Sequence, residues 1–182
     1  HTNGTWFSRQ GCAEKLPIRE DGLFGQAELT SCGLNGGPLA GEGYYPSCIA
    51  CHLFTDRPVI YVGDSDKPEY VNGSFPKIVK EGWDGDQNEG YITNMYDQCT
   101  AGFRYFDLSH VSEITLTIRG YAYGSMEIRT SFEGSAVKTI PLHYSNIWRD
   151  IKTEIKLPEG ADSLYFTYRG PGSASFKGFT LK

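Results

Sequence analysis

Five cysteines, Cys12, Cys32, Cys48, Cys51 and Cys99, carry the most immediate chemistry, and their odd number leaves at least one thiol unpaired within a single chain. Cys48-Ile-Ala-Cys51 has the spacing of half a zinc site, but no second close Cys pair or His pair accompanies it. These residues are therefore expected to be small buried hydrophobes, and no βαβ pattern follows that would make the pair a redox motif. Hard-cation chemistry is better served by the loop Asp84-Gly-Asp-Gln-Asn-Glu. There Asp84, Asp86 and Glu89 place three carboxylates on a Gly-containing turn, which makes them candidate ligands for calcium, although the spacing is not that of an EF-hand. Asp64 and Asp66 form a weaker version of the same pattern. His52, His110 and His143 are isolated from one another and show no ligand spacing, so surface or turn positions are expected for them. A carboxylate pair such as Glu127 with Glu154 has the right groups for acid–base work, but nothing in its spacing supports that role.

The surroundings of these residues narrow the function further. Seventeen Lys and Arg against 22 Asp and Glu give a net charge of -5, with the cations scattered singly, so a nucleic-acid partner is excluded on electrostatic grounds. No apolar stretch is long enough to span a bilayer, and the first residues hold neither a charged nor an apolar leader region. The chain begins at His1 with residues that read like the middle of a strand, so it is expected to be a piece of a longer precursor. Aromatic residues reach 14%, with 12 Tyr, 10 Phe and 3 Trp, a content that suits strands and also sugar-stacking surfaces.

The elements that must position these groups are strands. Helical periodicity is nearly absent, and 22 Gly and 9 Pro punctuate short apolar runs. From Gly102 onward, period-2 alternation places Phe103, Tyr105 and Asp107 on one face, and Ile114, Leu116 and Ile118 on one face of the next strand. Met126, Ile128 and Phe132 mark another strand, followed by strands over residues 137–142 and 147–157, then Leu164, Phe166 and Tyr168, then residues 176–181. Turn signals such as Tyr123-Gly-Ser, Glu133-Gly-Ser and Gly170-Pro-Gly separate them. Seven such strands predict an all-β fold, an antiparallel β-sandwich of jelly-roll type. The first half reads differently, with strands expected over residues 5–12 and 24–30 and a Gly- and Pro-rich connection over 31–46. A boundary near residue 50 divides a leading segment, 1–50, from a sandwich, 51–182.

Two groups of segments carry a family resemblance. His1-Thr-Asn-Gly-Thr-Trp-Phe-Ser-Arg-Gln-Gly-Cys-Ala-Glu and Thr30-Ser-Cys-Gly-Leu-Asn-Gly-Gly-Pro-Leu resemble the end of the five-bladed propeller of glycoside hydrolase family 43. Tyr91-Ile-Thr-Asn-Met, Ala101-Gly-Phe-Arg-Tyr-Phe-Asp and Leu164-Tyr-Phe-Thr-Tyr-Arg-Gly resemble the sandwich that follows it, which is similar to family 6 carbohydrate-binding modules. The resemblance implies propeller strands left over in residues 1–50, and a parent enzyme of β-xylosidase or α-L-arabinofuranosidase type acting on xylan- or arabinan-type glycans. Such inverting hydrolysis needs a general acid and base separated by a water. By the resemblance these carboxylates precede residue 1, none of Glu14, Glu20, Asp21 or Glu28 matches them, and this chain alone hydrolyses nothing.

In family 6 modules a loop-end cleft supplies a Tyr, a Trp and an Asn to the sugar. Arg119-Gly-Tyr121 resembles the Tyr segment and Trp148 falls where the Trp is expected, so the resemblance makes Tyr121 and Trp148 the carbohydrate-binding candidates. The last strand, Gly172-Ser-Ala-Ser-Phe, has Ser where the family has Asn and Asp, which removes an orienting hydrogen bond and a ligand of the module's calcium. The implied partners are the catalytic propeller of the same polypeptide and xylo- or arabino-oligosaccharides. The alternatives are a purely structural interface domain without sugar affinity, or a role described only by the parent hydrolase. Unpaired thiols point to a reducing compartment and a polysaccharide substrate to secretion, so the compartment stays open.

Overall fold

The computed structural model describes residues 13–56, 75–80 and 90–182. Among the described residues there are eleven strands: β1 (Gly43–Pro46), β2 (His52–Phe54), β3 (Lys77–Lys80), β4 (Gly90–Met95), β5 (Thr100–Arg104), β6 (Glu113–Gly120), β7 (Ser125–Arg129), β8 (Lys138–Pro141), β9 (Ser145–Glu154), β10 (Ser163–Arg169) and β11 (Ala174–Leu181). One sheet runs β3-β4-β11-β6-β9 and the other β2-β5-β10-β7-β8, with antiparallel pairing throughout. The fold is thus the expected all-β sandwich, because alternating strands can bury their apolar faces only against a second sheet.

Ile114, Leu116 and Ile118 on β6, Met126 and Ile128 on β7, and Leu164, Phe166 and Tyr168 on β10 all point inward. Phe103, Phe166, Phe176 and Phe179 form the centre of the core, every pair of rings lying 5.0–6.3 Å apart. Each buried Phe contributes roughly 1.5–3 kcal/mol of transfer free energy.

The register of β11 against β6 shifts between Phe176 and Gly178, so the inward positions run Ala174, Phe176, then Phe179 and Leu181. This extra residue keeps Phe179 in the core, where strict alternation from Phe176 would turn it to solvent. At Gly178 a Cβ would collide with the Tyr45 carbonyl and the Tyr44 ring, so the missing side chain lets β1 lie along the C-terminal half of β11. β4 pairs with the N-terminal half. Ser47, fully buried, donates to the Phe176 carbonyl and accepts from the Ile92 N–H at 3.0 Å. Sheet pairing therefore reaches back to Gly43, ahead of the boundary expected near residue 50.

Three local expectations are corrected. Residues 24–30 form no strand: Phe24 makes a single bridge to Ile18, and Gly22 and Gly25 confine it to a tight turn. β5 ends at Arg104, so Tyr105 leaves the sheet and its hydroxyl donates to Glu28 at 2.8 Å. Phe132 lies in the turn after β7 and packs on His52 and Phe54, with centroids 4.8 and 5.1 Å away, where it covers the outer face of the second sheet rather than filling the core. The strand expected over residues 5–12 lies outside the described residues.

Candidate functional site

Antiparallel pairing of β6 with β9 and of β7 with β10 brings three turns to one end of the sandwich: residues 121–124, 142–144 and 170–173. Ala122 is buried and bridges Gly172, so its neighbours Tyr121 and Tyr123 point away from the core. The buried Tyr168 hydroxyl locks the turns together, donating to the Pro171 carbonyl at 2.6 Å and accepting from the Tyr123 N–H at 3.1 Å. Gly172 has a φ of +83°, and a Cβ there would strike the Tyr121 carbonyl, so both backbone conformation and close approach require glycine. The Leu142 N–H donates to the Gly124 carbonyl at 2.8 Å and holds the third turn against the first.

On this scaffold stand three exposed rings. Tyr121, Tyr123 and Tyr144 are 66%, 58% and 43% exposed. Tyr144 is the middle ring, 4.9 Å from Tyr121 and 6.3 Å from Tyr123, the latter nearly parallel at 13°. The neighbouring Tyr121 phenol, followed by partial burial and Tyr123, pushes the Tyr144 hydroxyl above its ordinary pKa. The Tyr144 hydroxyl therefore stays protonated at neutral pH and can donate as well as accept. An apolar patch rimmed by hydroxyls can take the C–H face of a sugar and its hydroxyl groups together.

Sequence reasoning identified Tyr121 but not Tyr123 or Tyr144. The available signal was Tyr121-Ala-Tyr123 in a Gly-bounded turn. Trp148 stands in a different cluster, on the outer face of the first sheet. The Arg119 guanidinium lies 4.2 Å above its ring and donates to the Tyr91 hydroxyl at 3.0 Å, while Tyr91 meets the Trp edge-on at 5.1 Å. Lys177 Nζ is 5.8 Å from the same ring. In β11, the Ser175 hydroxyl is paired with Thr93 at 3.0 Å.

Asp64, Asp66, Asp84, Asp86 and Glu89 lie outside the described residues, as does Cys12. Among the described residues no group of three or more His, Cys, Asp or Glu side chains is placed to hold a metal. Among the described residues Cys32, Cys48, Cys51 and Cys99 form no disulfide with one another, and Cys51 Sγ donates to the Gly102 carbonyl at 3.5 Å. Glu127 is held by Arg129 and by Arg169 at 3.2 Å on the second sheet, whereas Glu154 lies on the first.

His110 and His143 are exposed, but His52 departs from expectation. It is a strand residue caged by Phe54, Phe132 and Tyr165, and its Nε2 is buried without a hydrogen-bond partner. Burial first and the Arg104 charge second lower its pKa; Cys51 precedes it in the chain and the Tyr165 ring lies 6.3 Å away. A lowered folded pKa means that the unfolded chain takes up the proton first, so this stability is present above about 6.5 and is lost as pH falls through the folded value. The melting temperature of the wild type is expected to drop between pH 7 and pH 5 by more than that of His52→Phe; equal slopes would remove the assignment.

Residues 13–38 lead into the sandwich at its opposite end. Glu14 accepts from the Thr30 N–H and hydroxyl at 2.7 and 2.8 Å, and Glu28 pairs with Arg104 at 3.1 Å. Asp21 pairs with Arg19 in an exposed turn that Glu20 shares. Despite this polar anchoring, Leu16, Ile18, Leu23, Phe24, Leu29 and Leu34 are each between 50% and 71% exposed.

No family model matches the chain. A xylosidase/arabinosidase of Thermoclostridium stercorarium is 49% identical over 181 residues, 100% of this chain, and the chain spans only 38% of that relative's length. The fold is similar to a family 6 carbohydrate-binding module of Clostridium stercorarium in complex with cellobiose, with a TM-score of 0.59 at 10% identity, covering 81% of this chain and 98% of that one. It is also similar to a glycoside hydrolase family 43 arabinoxylan arabinofuranohydrolase from Bacillus subtilis in complex with cellotetraose, with a TM-score of 0.59 at 15% identity over 93% of this chain and 33% of that one. At such identities these structures speak for the fold alone.

Proposed function

We propose, for a chain that is a relative of part of a xylosidase/arabinosidase and has the sandwich fold of family 6 carbohydrate-binding modules, the role of a glycan-binding accessory module in a larger glycoside hydrolase acting on xylan- or arabinan-type polysaccharides. The observation that carries this reading is the set of Tyr121, Tyr123 and Tyr144, exposed on turns that the Tyr168 hydroxyl and Gly172 hold rigid. Rigid aromatic side chains give contact area at little entropic cost, which suits a flat, weakly hydrophobic ligand. Hydrolysis is assigned to the part of the polypeptide beyond this chain. Calorimetric titration with xylo- and arabino-oligosaccharides, alongside retardation of the chain in gels containing xylan or arabinan, tests the reading. Binding in the micromolar to millimolar range is expected, and no binding to any of these glycans at millimolar ligand would end it.

A second reading, a structural interface, is favoured by the apolar residues of the leading segment. Six large exposed side chains within 19 residues, Leu16 to Leu34, form the kind of surface that marks a contact with another folded unit. The two roles are compatible because they use opposite ends of the sandwich: Glu28 and Ser31 meet Arg104, opposite the start of β10 at Ser163, whereas the tyrosines stand beyond its end at Arg169. In a polypeptide that also carries the remaining length found in the relative, Ile18→Ser with Phe24→Ser is expected to weaken docking by about 3 kcal/mol, the burial of two such side chains. The same pair should leave the melting temperature of this chain alone unchanged. Equal effects in both proteins would remove the interface reading.

A further inference from the structure

Within the glycan-binding reading, on which this inference rests, the geometry of the tyrosines also restricts how a saccharide is held. A sugar ring gripped between two aromatic rings needs a van der Waals contact of about 3.5–4.0 Å on each side, hence a ring separation of about 7 Å or more. Tyr121 and Tyr144 are 4.9 Å apart and Tyr144 and Tyr123 are 6.3 Å apart, so neither gap admits one. The turns are not free to spread. Tyr121 and Tyr123 flank Ala122, which is buried and bridged to Gly172, and the Leu142 N–H ties the Tyr144 turn to Gly124.

We infer that Tyr121, Tyr144 and Tyr123, in that order, form one open strip that binds consecutive sugars along the side of an extended glycan chain, rather than a pincer that encloses a chain end. The ring centres follow one another at 4.9 and 6.3 Å, so a chain laid along the strip passes the three rings in turn. Among the described residues both flanking rings are more than half exposed, which leaves the two ends of the strip open. Length, rather than the identity of a terminal sugar, then sets affinity. Tyr123 becomes a specificity-determining residue that distinguishes long ligands from short ones.

The test is a calorimetric series with the intact chain and β-1,4-linked xylo-oligosaccharides of one to five units, each also in its end-reduced alditol form. Affinity is expected to rise about fivefold to tenfold per sugar up to three units and then level off, with alditols of three or more units equal to their parents. Tyr123→Ala should weaken the trisaccharide about tenfold and leave the disaccharide unchanged. A monosaccharide bound as tightly as the trisaccharide, or a trisaccharide indifferent to Tyr123→Ala, would overturn the strip while leaving the glycan-binding reading in place. Absence of binding across the whole series and to soluble xylan and arabinan would overturn both.

Discussion

Replacing Tyr121 and Tyr144 together by alanine is expected to lower oligosaccharide affinity by two orders of magnitude or more and to leave the melting temperature within about a degree of wild type. The loss follows from removing two adjacent rings at the centre of a small contact, where aromatic truncation typically costs 2 kcal/mol or more per site. Stability should barely change because both rings stand outside the core, and exposed substitutions away from special backbone positions stay within about 0.5 kcal/mol. The backbone that carries them is held by Tyr168, Gly172 and Ala122, none of which is altered. Trp148→Ala is the informative companion. It removes the ring beneath Arg119, with a cation–π contribution of about 0.5–1 kcal/mol, and should lower stability while leaving binding intact. Loss of binding in Trp148→Ala with full retention in the Tyr121/Tyr144 variant would move the site to the sheet face.

Phe166→Ala should destabilise the protein by about 3–5 kcal/mol, the usual cost of deleting a large side chain from a core that cannot collapse around the cavity. Phe166 is fully buried, and its ring lies 5.0 Å from Phe176, 5.1 Å from Phe179 and 5.5 Å from Phe103. These partners come from both sheets, so the cavity opens where the sheets meet and neither can close it alone. Urea unfolding is the measurement, and the thermal midpoint should fall by about 10 °C for a domain of this size. A change below 1 kcal/mol would mean that the sheets are not held by this aromatic cluster. Any surviving folded fraction should keep its sugar affinity, since the strip and the cluster share no residue.

Together these results would separate three tasks within one sandwich. On the proposed reading, the phenylalanine core holds the sheets, the tyrosine strip meets the glycan, and the apolar leading segment faces another unit of a longer polypeptide. With the last two at opposite ends of β10, a docked module would hold its strip away from the surface to which it is attached. Seven residues of strand separate them by roughly 20 Å.

Much of this was readable from residue order alone, for a physical reason. Side chains on a strand alternate with period 2, so Ile114, Leu116 and Ile118, or Leu164, Phe166 and Tyr168, declare a buried face without reference to any partner. Two such faces must close on each other, and the sandwich follows. Tyr121 was marked by the resemblance of its segment, Arg119-Gly-Tyr121, to family 6 carbohydrate-binding modules, and the same resemblance pointed to carbohydrate. Long-range pairing decided the rest. Tyr144 becomes a neighbour of Tyr121 only because Gly120 pairs with Ser145, and the same register sends Trp148, four residues later, to the outer face beneath Arg119. Likewise the shift in β11 keeps Phe179 inside, and the absent side chain of Gly178 admits β1. None of these is a property of a local segment. Each depends on which residue stands opposite another across the sheet, and that choice is made by the closing of the whole core.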